Sequence, residues 1–396
     1  MSFNRMPLSQ MIPVLCVTFC FLSGSHPLDA RSGNPSFTIA MDTMQPTVSL
    51  VGFSWGELAP IPDRHGFAGG FAGVSNGALL FAGGANFPDG GAPWSGSKKV
   101  WSDGVFVLES REGQWRRVAR LPRSLGYGVS ATRDGRVICV GGSHEEGHSS
   151  AVFAILYKEG RAIIEDLPDL PEPLANSCGA VVGDVLYVAG GTTSPTATNA
   201  SGSFYSLDLS RSDARWEKLS TWPGPPRMLS VAGAHAGRFY LFSGVSLKPG
   251  ADGSPQRTYL KDAYSFHPTE GWRRLSDMPR AAAAAASPAY SHAVVGLVVF
   301  GGDDGSLAHA AASLKDDHPG FSSELLGYRP DSDAWSVLGR MNTFKRHDAA
   351  SNPNASIWAP VTLPFVLWGD ALVFPNGEAR PAVRTPRTVI AYPVLQ

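Results

Sequence analysis

GFAGGFAGVSNGALLFAGGANF, residues Gly66–Phe87, sets two apolar stretches on either side of Asn76-Gly77 and closes the second with the small pair Gly83-Gly84. Asn-Gly between apolar runs is a strong hairpin signal, so the stretch reads as two short adjacent strands, the second being Ala78 to Ala82. The pattern returns five times along the chain. Gly141-Gly142, Gly190-Gly191, Ser243-Gly244, Gly301-Gly302 and Asn376-Gly377 follow Gly83-Gly84 at successive steps of 58, 49, 53, 58 and 75 residues. Each pair closes an apolar run: Arg136–Val140, Val185–Ala189, Arg238–Phe242, Gly296–Phe300 and Ala371–Phe374.

A period near fifty is that of the Kelch repeat, whose units stack radially as blades. The expected fold is all-β, a six-bladed Kelch-type β-propeller over residues 51–396, with an insertion in the fifth interval. Trp115, Trp216, Trp272 and Trp335 close the first, third, fourth and fifth units, and Ile163–Leu167 fills that place in the second. The sixth unit runs out of chain after Ala391-Tyr392. Ser54–Leu58, with Trp55, is expected to supply its outer strand, which removes two open sheet edges. Glycine lets strands crowd near the axis, and the tryptophans bury large area between blades. Ala281–Ala286 has high helix propensity, but its place in the repeat makes it an innermost strand. Asn342–Pro360 reads as an insertion over one face, a lid with some helix.

The bulk composition agrees with short strands and many turns: of 396 residues, 44 are Gly, 43% are hydrophobic and 17% charged. With 33 Lys+Arg against 34 Asp+Glu and no basic stripe, the chain offers little to a nucleic acid. The N-terminus reads as an export signal over residues 1–30, followed by a linker over 31–50. Arg5 supplies the positive charge, Met11–Leu22 the apolar run, and Ser23, Gly24, Ser25 or Ala30 the cleavage residues. An uncleaved anchor, or a lipoprotein through Cys20, is the alternative. The mature chain is expected to be periplasmic or secreted, without a membrane span. Cys139 and Cys178 match no metal spacing and sit in apolar stretches, as buried free thiols do.

Two stretches say more than the repeat does: Gly66–Phe87, quoted above, and NGEARPAVRT, Asn376–Thr385. With weaker echoes at Tyr127–Ser130 and Pro226-Arg227, they resemble the N-acetylneuraminate epimerase family, the bacterial sialic acid mutarotases. The resemblance spans about residues 50 to 392. The order differs from better-known members, where the segment resembling Leu167–Tyr392 comes first and that resembling Ser54–Glu165 comes last. The chain is therefore identified with a cyclically permuted branch, a rearrangement that a closed ring tolerates.

The resemblance implies interconversion of the α and β anomers of N-acetylneuraminate, a sugar acid, by acid/base ring opening. Only protons move, so no cofactor is called for, and a single carboxyl that both accepts and donates suffices. It implies an acid/base role for Glu378 and a substrate-serving role for Arg384, whose fork suits a carboxylate. From spacing alone the two would make a plain surface ion pair. Arg380 and Arg387 are expected to be mostly solvated. Further candidates for substrate binding are Asn86 beyond Gly83-Gly84, Arg227 at an inner strand, Arg123 and Tyr127 in the second unit, and His65 before the first inner strand. Each has a plainer alternative: a turn Asn, a rim ion pair, core packing. Asn176 and Ser177 occupy a like position, with backbone capping as theirs. HEEGH, His144–His148, resembles a zinc-protease string, but that motif requires a helix and this one lies in a loop, so no metal is expected. A non-catalytic sugar-binding propeller or a protein-interaction scaffold would share the same framework.

Overall fold

A computed structural model describes residues 50–396; the segment read as an export signal and most of that read as a linker lie outside them. Six antiparallel blades of four strands each, the first with a short fifth strand added, surround one axis. Blade 1 is built on Ala68–Ser75 and Ala78–Asn86, blade 2 on Val129–Arg133 and Arg136–His144, and blade 3 on Cys178–Val182 and Val185–Ala189. Val231–His235 and Arg238–Phe242 found blade 4, Tyr290–His292 and Gly296–Phe300 blade 5, and Val366–Trp368 and Ala371–Pro375 blade 6. The outer strand of blade 6 is Leu50–Leu58, paired with Thr388–Leu395 in the register Ser54↔Tyr392. The chain thus closes on itself with one strand from its N-terminal side.

The small pairs have a steric cause. Gly83, Gly141 and Gly190 hold φ of 66°, 59° and 67°. A Cβ there would come within 2.1–2.4 Å of the carbonyl oxygens of Leu125, Leu174 and Arg227 in the following blade. Ser243 and Asn376 adopt the same left-handed backbone (φ 54° and 63°) with side chains that bond across the gap. Ser243 Oγ donates to Leu260 O and accepts from Ala282 N; Asn376 Oδ1 accepts from Phe67 N. The tryptophans do more than fill space. The indole N–H groups of Trp115, Trp216, Trp272 and Trp335 donate to the carbonyls of Ala59, Pro168, Ser220 and Ser276, each in the linker that leads into the blade of its tryptophan.

Around the axis, one residue per blade turns left-handed: Gly69, Tyr127, Asn176, Leu229, Ala284 and Thr362, with φ between 54° and 67°. Each donates its backbone N–H to the carbonyl of the one before: Tyr127 to Gly69, Asn176 to Tyr127, Leu229 to Asn176, Ala284 to Leu229, Thr362 to Ala284, and Gly69 back to Thr362, at 2.6–2.8 Å. The six bonds form a closed ring, and the space along the axis beside it is only about 70 Å³.

Two expectations need correction. Ala281–Ala286 forms neither strand nor helix: Ala283 makes a single bridge to Asp303, Ala284 turns into the ring, and the strand begins at Tyr290. Asn342–Pro360 carries no α-helix, only a short turn at Pro353–Ala355 and a Phe344↔Ile357 bridge. The insertion with a helix is the one before it, where Ala311–Leu314 and Lys315–Asp317 lie between Gly301-Gly302 and the third strand of blade 5. Cys139 and Cys178 are buried and unpaired, and burial pushes the Cys178 thiol up to about 12.

The ring's strain is testable at neighbouring alanines. Ala284→Gly relieves a left-handed cost of about 1–2 kcal/mol against roughly 0.5–1 kcal/mol of lost chain stiffness. It is expected to hold or raise the thermal midpoint. Ala283→Gly, at an ordinary φ, suffers only the loss and lowers the midpoint. Scanning calorimetry of the two proteins checks the opposite signs; equal losses would remove the strain argument.

Candidate functional site

Beyond Asn376-Gly377 the chain makes a tight hairpin, Glu378–Arg380 against Val383–Arg384, turning at Pro381 and Ala382. Gly377 must lack a Cβ because one would meet Pro360 and Val361 at about 3 Å. The register sets Glu378 opposite Arg384. Glu378 Oε1 accepts from Arg384 Nη1 and from Ala382 N, both at 2.9 Å. Its other oxygen has no partner among the described residues.

Arg384 is buried, with 5% of its side chain exposed against 21% for Glu378, so the pair is no surface salt bridge. Its remaining nitrogens reach Ala85 O and the Tyr127 hydroxyl, and its guanidinium lies 5.2 Å from the Phe87 ring centre. Burial works against the charge, yet Glu378 and Tyr127 hold the Arg384 pKa above the ordinary guanidinium value.

Glu378 lines a cavity of about 420 Å³ on one face of the propeller, above the ring residues Leu229, Ala284 and Thr362. Four further polar side chains stand in its wall: Arg257, Tyr259, Asp303 and His318. Asp303 is the counterpart of Glu378 one blade earlier, since Ala283↔Asp303 and Val361↔Glu378 are equivalent bridges. Asp303 accepts from the Tyr259 hydroxyl (2.8 Å) and from Gly305 N. Burial first, and then Asp303, push the Tyr259 pKa up. His318 is buried; its Nδ1 accepts from Gly320 N, so its proton sits on Nε2. Burial holds its pKa down, outweighing the carboxylates of Asp303 and Glu378. Arg257, on a hairpin (Val245–Pro249 with Pro255–Tyr259) that rises from blade 4, is exposed and pairs with no acid among the described residues.

Of the sequence candidates, the structure gathers Glu378, Arg384 and Tyr127. The others go elsewhere. Arg227 is fully buried in a two-pronged pair with Asp262 (2.8 and 2.6 Å), stacked against Trp222 and Tyr264, and does not line the channel. Asn86 is buried and donates to Asp63 Oδ1, which also accepts the N–H groups of His65 and Gly66; it braces a loop. Arg123 is exposed beside His144 and Glu146, away from Glu378. His65 borders a separate cavity on the far side of the hairpin, with Arg380 and Arg384. Arg380 is not solvated either: it is 2% exposed and bonded to the carbonyls of Asp316 and Ala350. Arg387 pairs with Glu57. The 342–360 segment clasps these two arginines and contributes nothing to the Glu378 cavity. HEEGH forms a hairpin tip, in the register Ser143↔His148 and His144↔Gly147. His318, Tyr259 and Arg257 were missed because they sit in insertions, outside the repeating pattern, and Asp303 because its place in the repeat was not compared with that of Glu378. The one available signal was Asp303 directly after Gly301-Gly302, matching Glu378 after Asn376-Gly377.

A sequence model of the N-acetylneuraminate epimerase family matches residues 40–164 and 167–390. The N-acetylneuraminate epimerase of Haemophilus influenzae (strain 86-028NP) is 29% identical over 259 residues, which are 60% of this chain and 62% of that protein. That of Yersinia pestis (strain Pestoides F) is 35% identical over 130 residues, 31% of each chain. The chain thus spans 62% of the length of the Haemophilus relative it matches. The solved structure of YjhT is alike in fold, with a TM-score of 0.56 at 12% identity, over 68% of this chain and 84% of that one.

Arg384→Gln leaves the partly buried Glu378 carboxylate without its counter-charge, at an expected cost of about 3–5 kcal/mol of stability. Arg257→Gln, at an exposed position, should stay within about 0.5 kcal/mol. Urea denaturation of both variants measures the difference; an unperturbed Arg384→Gln would mean the pair contributes nothing to folding.

Proposed function

Because the chain belongs to the N-acetylneuraminate epimerase family, we propose that it interconverts the α and β anomers of N-acetylneuraminate after export from the cytoplasm. The carrying observation is a carboxylate with one oxygen tied down and the other uncommitted in the wall of a cavity. Glu378 Oε1 is held by Arg384 and Ala382; the second oxygen takes the proton of the anomeric hydroxyl. The same proton passes to the ring oxygen, which is bonded to the same carbon. The carbon–oxygen ring bond breaks, leaving an open-chain ketone and a free hydroxyl. Rotation presents the other carbonyl face, and the steps run backwards to the opposite anomer. No cofactor enters, and one well-placed general acid/base contributes roughly 10²–10⁴-fold.

The other wall residues fit this chemistry. Tyr259 already donates to Asp303, so His318 Nε2–H is the free neutral donor for the ring oxygen as charge develops there. Arg257 is the unpaired guanidinium suited to the sugar carboxylate. Arg384, with its nitrogens engaged, is a positioning residue for Glu378. The two matched segments meet between residues 164 and 167, inside the outermost strand of blade 2, Arg161–Leu167. We place the permutation there, at the end of an outer strand, so that in relatives the ring would be opened beside a different blade.

NMR of freshly dissolved single-anomer N-acetylneuraminate tests the reading. The protein is expected to hasten the approach to anomeric equilibrium, and Glu378→Gln to slow that enzymatic rate about 10²–10⁴-fold. Sugar binding with no acceleration would instead make the propeller a lectin-like binder.

A further inference from the structure

Across Leu229 and Arg257, which line both, the Glu378 cavity adjoins a second one of about 380 Å³. Each is large enough for a ligand of sugar size, since small-molecule sites begin at about 300 Å³. The second cavity lies between the edge of blade 1, the HEEGH hairpin of blade 2 and the hairpin of blade 4. Apart from the shared Arg257, the reaction at Glu378 makes no use of it.

Its wall is built for a charged, hydroxylated ring. Val100–Trp101 pairs with the end of Ala78–Asn86, and this added strand carries Trp101 to the cavity beside Tyr127. The Lys99 ammonium lies 4.9 Å from the ring centres of both Trp101 and Tyr127 and pairs with no acid among the described residues. An aromatic face suits the C–H face of a pyranose, and a free ammonium suits an acid group. Two polar atoms in the wall are shielded from water and lack a partner: the Trp101 indole Nε1–H and His148 Nδ1. Buried polar groups are nearly always bonded, so an orphaned donor and an orphaned ring nitrogen in one cavity point to a ligand's hydroxyls. His148 Nε2 is already set against Thr192 Oγ1, and burial lowers the imidazole pKa, keeping the ring neutral.

We propose that this cavity is a second acidic-sugar subsite, so that the chain accepts the reducing end of a sialic acid dimer: one residue over Glu378, the next over Trp101 with its carboxylate at Lys99. The inference rests on the mutarotase reading for the first residue. Tyr127 joins the two places, its ring facing Lys99 and its hydroxyl accepting from Arg384.

Calorimetric titration of the whole protein with N-acetylneuraminate and with its 2→8-linked dimer, beside the anomerisation assay, decides the matter. The dimer is expected to bind at least tenfold more tightly than the monomer. In Trp101→Ala and in Lys99→Gln that ratio should fall to about one, with the thermal midpoint of the exposed Lys99→Gln variant unchanged. A ratio near one in the unaltered protein overturns the subsite. So does an equal loss for both ligands in the variants, which would mean that the cavity holds part of a single sugar. A dimer preference without any anomerisation upholds the subsite and overturns the mutarotase reading; anomerisation without dimer preference does the reverse.

Discussion

Six backbone hydrogen bonds around the axis hold this molecule in register. Elsewhere, neighbouring blades meet through side chains and through scattered backbone bonds such as Gly84 N to Leu125 O and Gly377 N to Phe67 O. The ring Gly69–Tyr127–Asn176–Leu229–Ala284–Thr362 is the one place where main chain bonds to main chain all the way round. It forces each member into the left-handed region, a conformation that costs about 1–2 kcal/mol for a residue with a Cβ. Five of the six carry one, including the β-branched Thr362. That strain persists because the surrounding blades over-determine the backbone. The same ring forms the floor of both cavities, so the least deformable part of the fold lies under the chemistry.

What the amino-acid sequence disclosed follows from where the steric demands are strictest. Gly83, Gly141 and Gly190 stand out because a Cβ would strike a carbonyl oxygen of the next blade, and no side chain evades that. Even the exceptions are legible: Ser243 and Asn376 are small polar residues whose side chains bond across the gap. The tryptophans recur because each must both fill the blade interface and donate to a linker carbonyl. The closing strand was readable from a missing partner, since the sixth blade otherwise has an open edge.

The site was only half legible. Glu378 and Arg384 lie in one ten-residue motif, and a short hairpin brings them face to face. His318, Tyr259 and Arg257 belong to insertions of blades 4 and 5, where no period constrains the residue type, and they meet Asp303, the repeat counterpart of Glu378, only through the fold. Arg227 misled for a related reason. An arginine at the start of an inner strand has two directions open to it, and the deciding partner, Asp262, is thirty-five residues away. Arg380 misled because its burial depends on the segment 342–360, which packs over it from outside the repeat.

The closure of blade 6 also has a mechanical side. Leu50 stands opposite Leu395, so the two ends of the described chain leave the same rim of the same sheet, antiparallel and side by side. A pull applied through both ends would load the Leu50–Leu58 ladder one hydrogen-bonded rung at a time, the geometry of a zip rather than a rivet. The blade that bears Glu378 is thus the one that peels first under tension, whereas a load spread over the other five blades meets the full ring.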